Sequence, residues 1–145
     1  MAGGGVVFSG LKEFSAGLAA MHARQVAATR IGGNKASNIL KKEIQRMLSA
    51  TGAPGEPSAP GEPPHLQTGD LRRSIQADGP QELAGTSMAW DVGPTVIYGR
   101  IQDLGGRAGH STLPARPYMA RSLLRAQPMM YQACKEAWAA ALRRG

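Results

Sequence analysis

The sequence contains almost no cysteine, with Cys134 alone among 145 residues. One cysteine excludes an intrachain disulfide and a zinc site built from several thiolates. This scarcity is typical of proteins made in the cytosol. A chain of this length fits one domain and can bury about two thirds of its unfolded surface, so a core can form without cross-links. We therefore predict a single domain over residues 1–145.

Aromatic residues and long apolar runs are also scarce. Phe, Trp and Tyr make up 5% of the chain, so we expect part of the apolar surface to be buried against neighbouring subunits. No apolar run approaches the ~20 residues that cross a bilayer, and no membrane partner is predicted. The first ten residues, MAGGGVVFSG, lack the basic and long apolar segments of a signal peptide. We therefore expect the chain to be made and kept in the cytoplasm unless an assembly carries it out.

Recognisable catalytic and metal-binding patterns are missing too. The three histidines stand far apart, with no pair at helical metal spacing: His22, His65 and His110. Three aspartates have no spacing that would bring their carboxylates together: Asp70, Asp91 and Asp103. No serine stands in a G-x-S-x-G elbow, and no phosphate-binding P-loop occurs. We therefore expect neither an enzyme nor a metal or cofactor site.

The chain is basic, with 17 Lys plus Arg against 10 acidic residues and a net charge of +7. Such a balance favours contact with nucleic acid or with an acidic protein. The cations are nevertheless dispersed, and the only adjacent arginines are the pairs 72–73 and 143–144. A solvated basic surface therefore stays open as the alternative to phosphate contact.

The N-terminal third is predicted to be mostly helical. Residues 1–5 form a Gly-rich tail that we expect to be flexible, and residues 6–8 suit a short strand. Apolar residues then recur at steps of three and four, which predicts an amphipathic helix: Leu11, Phe14, Leu18 and Met21. Two alternatives follow. Either Gly32 and Gly33 break the helix and Asn34 caps a second helix over 35–49, or one long helix is kinked at the glycines.

A Pro/Gly-rich loop is predicted over residues 51–66, because proline fixes φ and removes backbone donors. Thr68 is a predicted N-cap, and Asp70 lies in the first turn of the helix that follows. Leu71 and Ile75 stand four apart, on one face of that short helix.

A hairpin and two further helices are predicted after it. Residues 78–80, Asp-Gly-Pro, indicate a turn, and the alternation over 87–92 predicts a strand with Met88, Trp90 and Val92 inward. Residues 98–104 suit a short helix closed by Gly105 and Gly106.

The last part of the chain should be loose over 107–113, extended over 114–117 and helical over 117–143, with Pro128 kinking or restarting the helix. The predicted apolar stripe of this helix is Leu124, Tyr131, Cys134, Trp138 and Leu142. The whole pattern predicts an α+β fold: a small antiparallel sheet packed with a long C-terminal helix and N-terminal helices, with a long Pro/Gly loop.

Three stretches in order carry a family resemblance: PPHLQTGDLRRSI (63–75), VGPTVIYGRIQDLGG (92–106) and LPARPYMARSL (113–123). The first resembles the "aP-x-x-TG-x-LR-x-SI" signature of the neck and tail-completion proteins of long-tailed DNA phages. The second is similar to that family's "YA-x-x-x-E/Q-x-GG" segment, and the third to the "iPaRPFL" element of its virion-morphogenesis branch. The resemblance covers about residues 54–143. Two positions depart from it: Gly99 stands where alanine is frequent, and Asp103 replaces a more usual aromatic or other residue.

The resemblance implies a structural virion protein at the head–tail junction, assembled in the host cytoplasm. Its partners would be other copies of itself in a ring, expected to be a hexamer, together with portal-side adaptor or stopper proteins, tail tube proteins and packaged DNA in the lumen. A ring requires a heterologous contact between copies. A basic DNA-binding accessory protein is the alternative function.

Candidate residues follow from these arguments. The predicted interface comprises Pro57, Pro63, His65, Arg72, Arg73, Tyr98, Arg116, Pro117 and Tyr118. The residues predicted to pack the motifs are Thr68, Gly69, Leu71, Ile75, Gly105 and Gly106. Arg116, held between two prolines, is predicted to pair with a carboxylate of another chain because its planar fork matches a carboxylate.

Overall fold

The computed structural model describes residues 9–143, which form an α+β fold. The expectations for the tail (1–5) and the strand (6–8) lie outside the described residues. In chain order the elements are α1 (Leu11–Met47), α2 (Asp70–Arg73), β1 (Ile75–Glu82), β2 (Met88–Pro94), α3 (Gly99–Leu104), β3 (Gly106–Ala108), β4 (Ser111–Leu113) and α4 (Met119–Leu142). Among these residues, no helix combines the length and the apolarity that a membrane-spanning segment requires.

The long helix α1 runs through the glycine pair without a break, so of the two alternatives the structure has the single long helix, and Asn34 caps no second helix. The glycines serve close packing instead. A Cβ on Gly32 would lie 3.1 Å from the Cα of Cys134 in α4, and a Cβ on Gly33 would overlap the indole ring of Trp90. Asn34 lies inside the helix, where its Oδ1 accepts a hydrogen bond of 2.8 Å from Nε1 of Trp90.

Helix α4 packs along α1 through small side chains. The side chains that α4 buries are Ser122, Ala126, Ala133 and Ala137. The predicted stripe is therefore wrong: Leu124, Tyr131 and Leu142 are exposed, and Cys134 and Trp138 are half-buried. The close approach at Gly32 leaves room only for small residues between the two helices. Pro128 neither ends nor restarts the helix.

Strands β1 and β2 form the predicted antiparallel hairpin, with Ile75 opposite Pro94 and Glu82 opposite Met88. The predicted turn at 78–80 is wrong, because β1 continues through it with a shift of register between Asp78 and Gln81. The chain reverses at residues 83–87 instead. Met88, Trp90 and Val92 are all half-buried.

A second antiparallel pair, β3 and β4, occupies the segment predicted to be loose. Gly106 pairs with Leu113 and Ala108 with Ser111. Five of its six residues are exposed. The sequence therefore shows no alternation of apolar and polar residues from which this hairpin could be predicted.

The core lies at the C-terminal end of α1. Its buried members are Ile44, Met47, Leu48, Ile75 and Tyr118. They come from the end of α1 and its C-cap Leu48, from the start of β1 and from the extended segment before α4. The segments that carry the family resemblance therefore supply two of the five core side chains.

The N-terminal part of α1 projects away from this core. Every residue from Leu11 to Arg24 is exposed, including the predicted apolar face. Leu11 is 66%, Phe14 63%, Leu18 47% and Met21 44% exposed. At 1.5 Å per residue, the exposed segment is about 20 Å long. We call these four side chains the α1 stripe.

The pH dependence of stability provides one prediction for α1. Arg46 donates two hydrogen bonds to the Glu43 carboxylate, at 2.8 and 2.6 Å, and these bonds lower the pKa of Glu43 although burial opposes the shift. A carboxyl group with a lowered folded-state pKa stabilises the fold above its unfolded pKa, near 4.5, and this contribution disappears as pH falls through the folded value.

We therefore expect Glu43→Gln to lose less stability than wild type between pH 5 and pH 3. Urea unfolding measured across this range checks the expectation. Glu62→Gln is the control because its side chain is exposed and makes no ion pair within residues 9–143. Equal losses of unfolding free energy in Glu43→Gln and wild type would contradict the stabilising role assigned to the Glu43 carboxylate.

Candidate functional site

The second and third resemblance stretches meet at the start of α4. The phenol of Tyr118 is fully buried and donates a hydrogen bond of 3.0 Å to the carbonyl of Gly99. The Asp103 Oδ1 atom accepts hydrogen bonds from the backbone N–H groups of Tyr118, at 2.8 Å, and Met119, at 2.9 Å. These three bonds join α3 to α4.

The Asp103 carboxylate explains one departure from the family pattern. It occupies the N-terminal end of α4, where the first N–H groups have no partner within the helix and a negative charge is favourable. Burial raises the pKa of the Tyr118 phenol, and the nearby Asp103 charge raises it further. The raised pKa keeps the phenol protonated, and donating to the Gly99 carbonyl, to a higher pH than an ordinary tyrosine.

Arg116 ties the Pro/Gly loop to the rest of its own chain. Its backbone N–H donates to the Gln102 carbonyl at 3.0 Å, and its Nε donates to the Ser58 carbonyl at 3.1 Å. Nearby, the Gly61 N–H donates to the Ala115 carbonyl at 2.9 Å. The Pro/Gly loop is thus folded back onto the segment before α4. The Nε partner of Arg116 is intrachain, whereas the carboxylate predicted to pair with this arginine would lie on another chain.

In the first resemblance stretch, the residue that caps the start of α2 differs from the predicted one. The N-cap is Gly69, with φ of 80°, and not Thr68. The Thr68 hydroxyl accepts a weak bond of 3.3 Å from the Asp70 N–H and donates to the Asp70 carboxylate at 2.6 Å. Arg73 also donates to that carboxylate at 2.6 Å, and both bonds lower the pKa of Asp70.

Leu71 and Ile75 both contact the core, although not from one helix face. Helix α2 ends at Arg73, and Ile75 is the first residue of β1, where it is fully buried. Leu71 is partly buried against the same cluster. The four-residue spacing indicated a longer helix because it does not distinguish one turn from a helix-to-strand transition.

Gly105 closes α3 as predicted, with φ of 70°. Gly106, with φ of 135°, is the first residue of β3. Both positions therefore hold backbone conformations that favour glycine.

Gly99 explains the other departure from the family pattern. A Cβ at this buried position would lie 2.6 Å from Cβ and Cγ of Pro94 and 3.4 Å from Cδ1 of Leu71. We expect Gly99→Ala to lower the free energy of unfolding by about 1–3 kcal/mol because the proline ring cannot move away without disturbing the end of β2.

Chemical denaturation of Gly99→Ala checks this value. Gly93→Ala is the matched control, since a Cβ there would meet only the Met119 methyl at 3.9 Å. A Gly99→Ala protein as stable as Gly93→Ala would contradict the packing described for Gly99.

A cavity of about 180 Å³ opens beside Arg116. Its polar lining includes His65, Asp70, Arg72, Gln102 and Arg116. These residues come from the Pro/Gly loop, α2, α3 and the segment before α4, so the cavity combines all three resemblance stretches.

The predicted interface residues differ widely in exposure. The exposed ones are Pro57, Arg72, Arg73 and Tyr98. The half-buried ones are Pro63, His65 and Pro117. The buried ones are Arg116 and Tyr118. Tyr118 belongs to the core and presents no surface to a partner, so its assignment to an interface is wrong.

Sequence reasoning missed Ser58 and Gln102, whose carbonyl groups hold Arg116. Carbonyl groups belong to every residue, so no side-chain pattern marks them. Among residues 9–143, no group of three or more His, Cys, Asp or Glu side chains has a geometry that could hold a metal ion.

Comparisons with protein-family models, with curated proteins and with solved structures found no match to this chain.

Proposed function

We propose that this chain is a ring-forming structural subunit of the head–tail junction of a long-tailed phage, where it joins the tail tube to the capsid connector. The proposal begins from the three resemblance stretches. Its partners are further copies of itself, expected to number six, together with adaptor or stopper proteins on the portal side and tail tube proteins. The site of assembly is the host cytoplasm, and packaged DNA passes through the lumen.

The observation that carries this proposal is the α1 stripe. Apolar side chains on the surface are ordinary when scattered, but a contiguous stripe on a projecting helix is typical of an interface. Helices in proteins gain most of their stability from packing of an apolar face, and this part of α1 is exposed throughout. A neighbouring copy that covers the stripe would stabilise it.

The total surface of the chain supports the same proposal. Its accessible surface is 9940 Å², against about 7,100 Å² for a compact monomer of 15.2 kDa. The larger surface leaves more area for contacts between subunits than a compact monomer offers.

A second exposed apolar surface lies on the outer side of α4. Its most exposed members are Leu124, at 70%, and Tyr131, at 68%. A closed ring needs two different complementary surfaces on each copy, because the contact is head-to-tail. The α1 stripe of one copy and this α4 surface of the next satisfy that need.

Deletion of the gene from its phage tests the function. We expect DNA-filled heads and separate tails to accumulate, because the junction is missing, and we expect a plasmid-borne copy to restore joined particles. Electron microscopy of the lysate reads the outcome. Normal joined particles in the deletion strain would contradict the proposal.

DNA binding, the second hypothesis from composition, stays a prediction. If it holds, the affinity for duplex DNA should fall steeply with salt, because basic residues release counterions from the phosphates. Titration at 50 and 200 mM salt measures this dependence, and an affinity independent of salt would exclude it.

A further inference from the structure

The geometry points to a carboxylate-binding site at Arg116, which accepts an acidic side chain from another protein chain. This site is additional to the apolar contacts of the ring. Binding at this site can be measured with a small carboxylate as the ligand, so the test does not depend on ring formation.

The first argument is the burial of an arginine whose charge has no partner. Arg116 is 8% exposed, and its Nε is bound to the Ser58 carbonyl. Its two terminal nitrogens make no hydrogen bond or ion pair within residues 9–143. No fully buried side-chain nitrogen or oxygen in that range lacks a partner. The terminal nitrogens therefore reach solvent, and the cavity that Arg116 lines is their route to it.

The second argument is the charge of the cavity. Arg72 lines it as a second guanidinium, and the imidazole of His65 also belongs to the lining. Asp70 is the one acidic residue among the described residues of the lining, and its carboxylate already binds Thr68 and Arg73, each at 2.6 Å. Among residues 9–143 no carboxylate pairs with Arg116, so its guanidinium is available to an acidic group that enters the cavity.

The third argument concerns the shape of the ligand. Two parallel N–H groups of a guanidinium match the two oxygens of a carboxylate. The guanidinium is recessed in a cavity of about 180 Å³, which an extended Asp or Glu side chain can enter.

The backbone fixes the orientation of this arginine. Arg116 is held by Ser58 at its Nε and by Gln102 at its own N–H. The side chain therefore loses little further freedom when a carboxylate binds, which favours binding.

Saturation-transfer NMR on the full chain tests the site, because it works for a monomer and for a large ring. The probe is N-acetylglutamate N-methylamide at constant ionic strength, and the matched control is the neutral glutamine analogue. We expect a saturable signal with a Kd in the millimolar range for the glutamate probe and none for the glutamine analogue.

Two variants assign the signal to the cavity. Arg116→Lys keeps the positive charge but loses the two parallel N–H groups of the guanidinium, and we expect at least a fivefold weaker signal. Arg72→Gln alters an exposed residue of the lining and should weaken binding about threefold, so it keeps the test valid if Arg116→Lys fails to fold. Arg107→Gln, exposed on β3 and outside the lining, should bind as wild type does.

Three results would overturn the inference. The glutamine analogue could bind equally well, the signal could survive Arg72→Gln and Arg116→Lys unchanged, or inorganic phosphate could bind where the glutamate probe does not. A normal ring with any of these results would reject the carboxylate site and leave the proposed function standing.

Discussion

Replacing Gly33 by alanine is expected to lower the free energy of unfolding by about 3 kcal/mol, near the upper end for overpacked positions. The added methyl group would overlap the Trp90 ring, which lies directly over the backbone of α1. Trp90 is also held by its bond to Asn34, so the ring cannot simply rotate away. Thermal or urea unfolding measures the loss.

Gly17→Ala is the control for this prediction. Gly17 also lies in α1, but a Cβ there would meet nothing within 4 Å. Alanine is a better helix former than glycine by about 1 kcal/mol, so this variant should be slightly more stable than wild type. If the two variants change stability in the same direction, the packing of Trp90 on Gly33 is not the reason why position 33 requires glycine.

A double-mutant cycle isolates the contact further. In a Trp90→Leu background the indole is absent, and the cost of Gly33→Ala should shrink by more than half. The two positions are in contact, so a coupling energy of about 1–3 kcal/mol is expected. Additive effects would contradict direct contact.

If the proposed ring forms, replacing Leu18 by aspartate is expected to convert it to monomers of 15.2 kDa. Leu18 lies in the middle of the α1 stripe, where burial of a leucine contributes about 1.5–3 kcal/mol to a contact. A carboxylate there would also have to be desolvated, so each contact should weaken by a factor on the order of a hundred. Light scattering after gel filtration measures the mass.

The control is Leu83→Asp, the same change at a comparably exposed leucine in the β1–β2 turn. We expect it to assemble normally. Dissociation of both variants would show a general effect of added negative charge, and assembly of both would exclude the α1 stripe from the interface.

Mixing two variants tests the head-to-tail contact. Leu124→Asp damages the proposed α4 surface and leaves the α1 stripe intact, whereas Leu18→Asp does the reverse. Each variant alone should be monomeric. Their mixture should form dimers of about 30 kDa, twice the 15.2 kDa of one copy. A mixture that remains monomeric, or one that forms full rings, would contradict the pairing of these two surfaces.

Elements with strong local signals could be predicted from the sequence. The α+β class, the strand around Trp90 and the closure of α3 by Gly105 are all confirmed. In each case a short pattern depends on neighbours in the chain, such as alternation over a strand or a glycine after a helix.

Features that depend on distant residues could not be predicted. Gly33 resembles a helix breaker in the sequence because the indole that covers it is 57 positions away. The face that α4 buries consists of alanines and a serine, since α1 approaches closely, whereas a search for large apolar residues selects the exposed side. Asp103 caps a helix that begins 16 residues later.

The candidate site shows the same division. The motifs identified the stretches that line the cavity, and Arg116 was singled out from its two flanking prolines. Its intrachain bond to Ser58 was not predictable, because the acceptor is a backbone carbonyl in a loop without a regular pattern.

The central claim is that copies of this chain close around an axis, and electron microscopy of the purified wild-type protein tests it most directly. The account predicts class averages that show a ring with a central opening and rotational symmetry, expected to be sixfold. A uniform field of single 15.2 kDa particles at micromolar concentration, confirmed by light scattering, would contradict it.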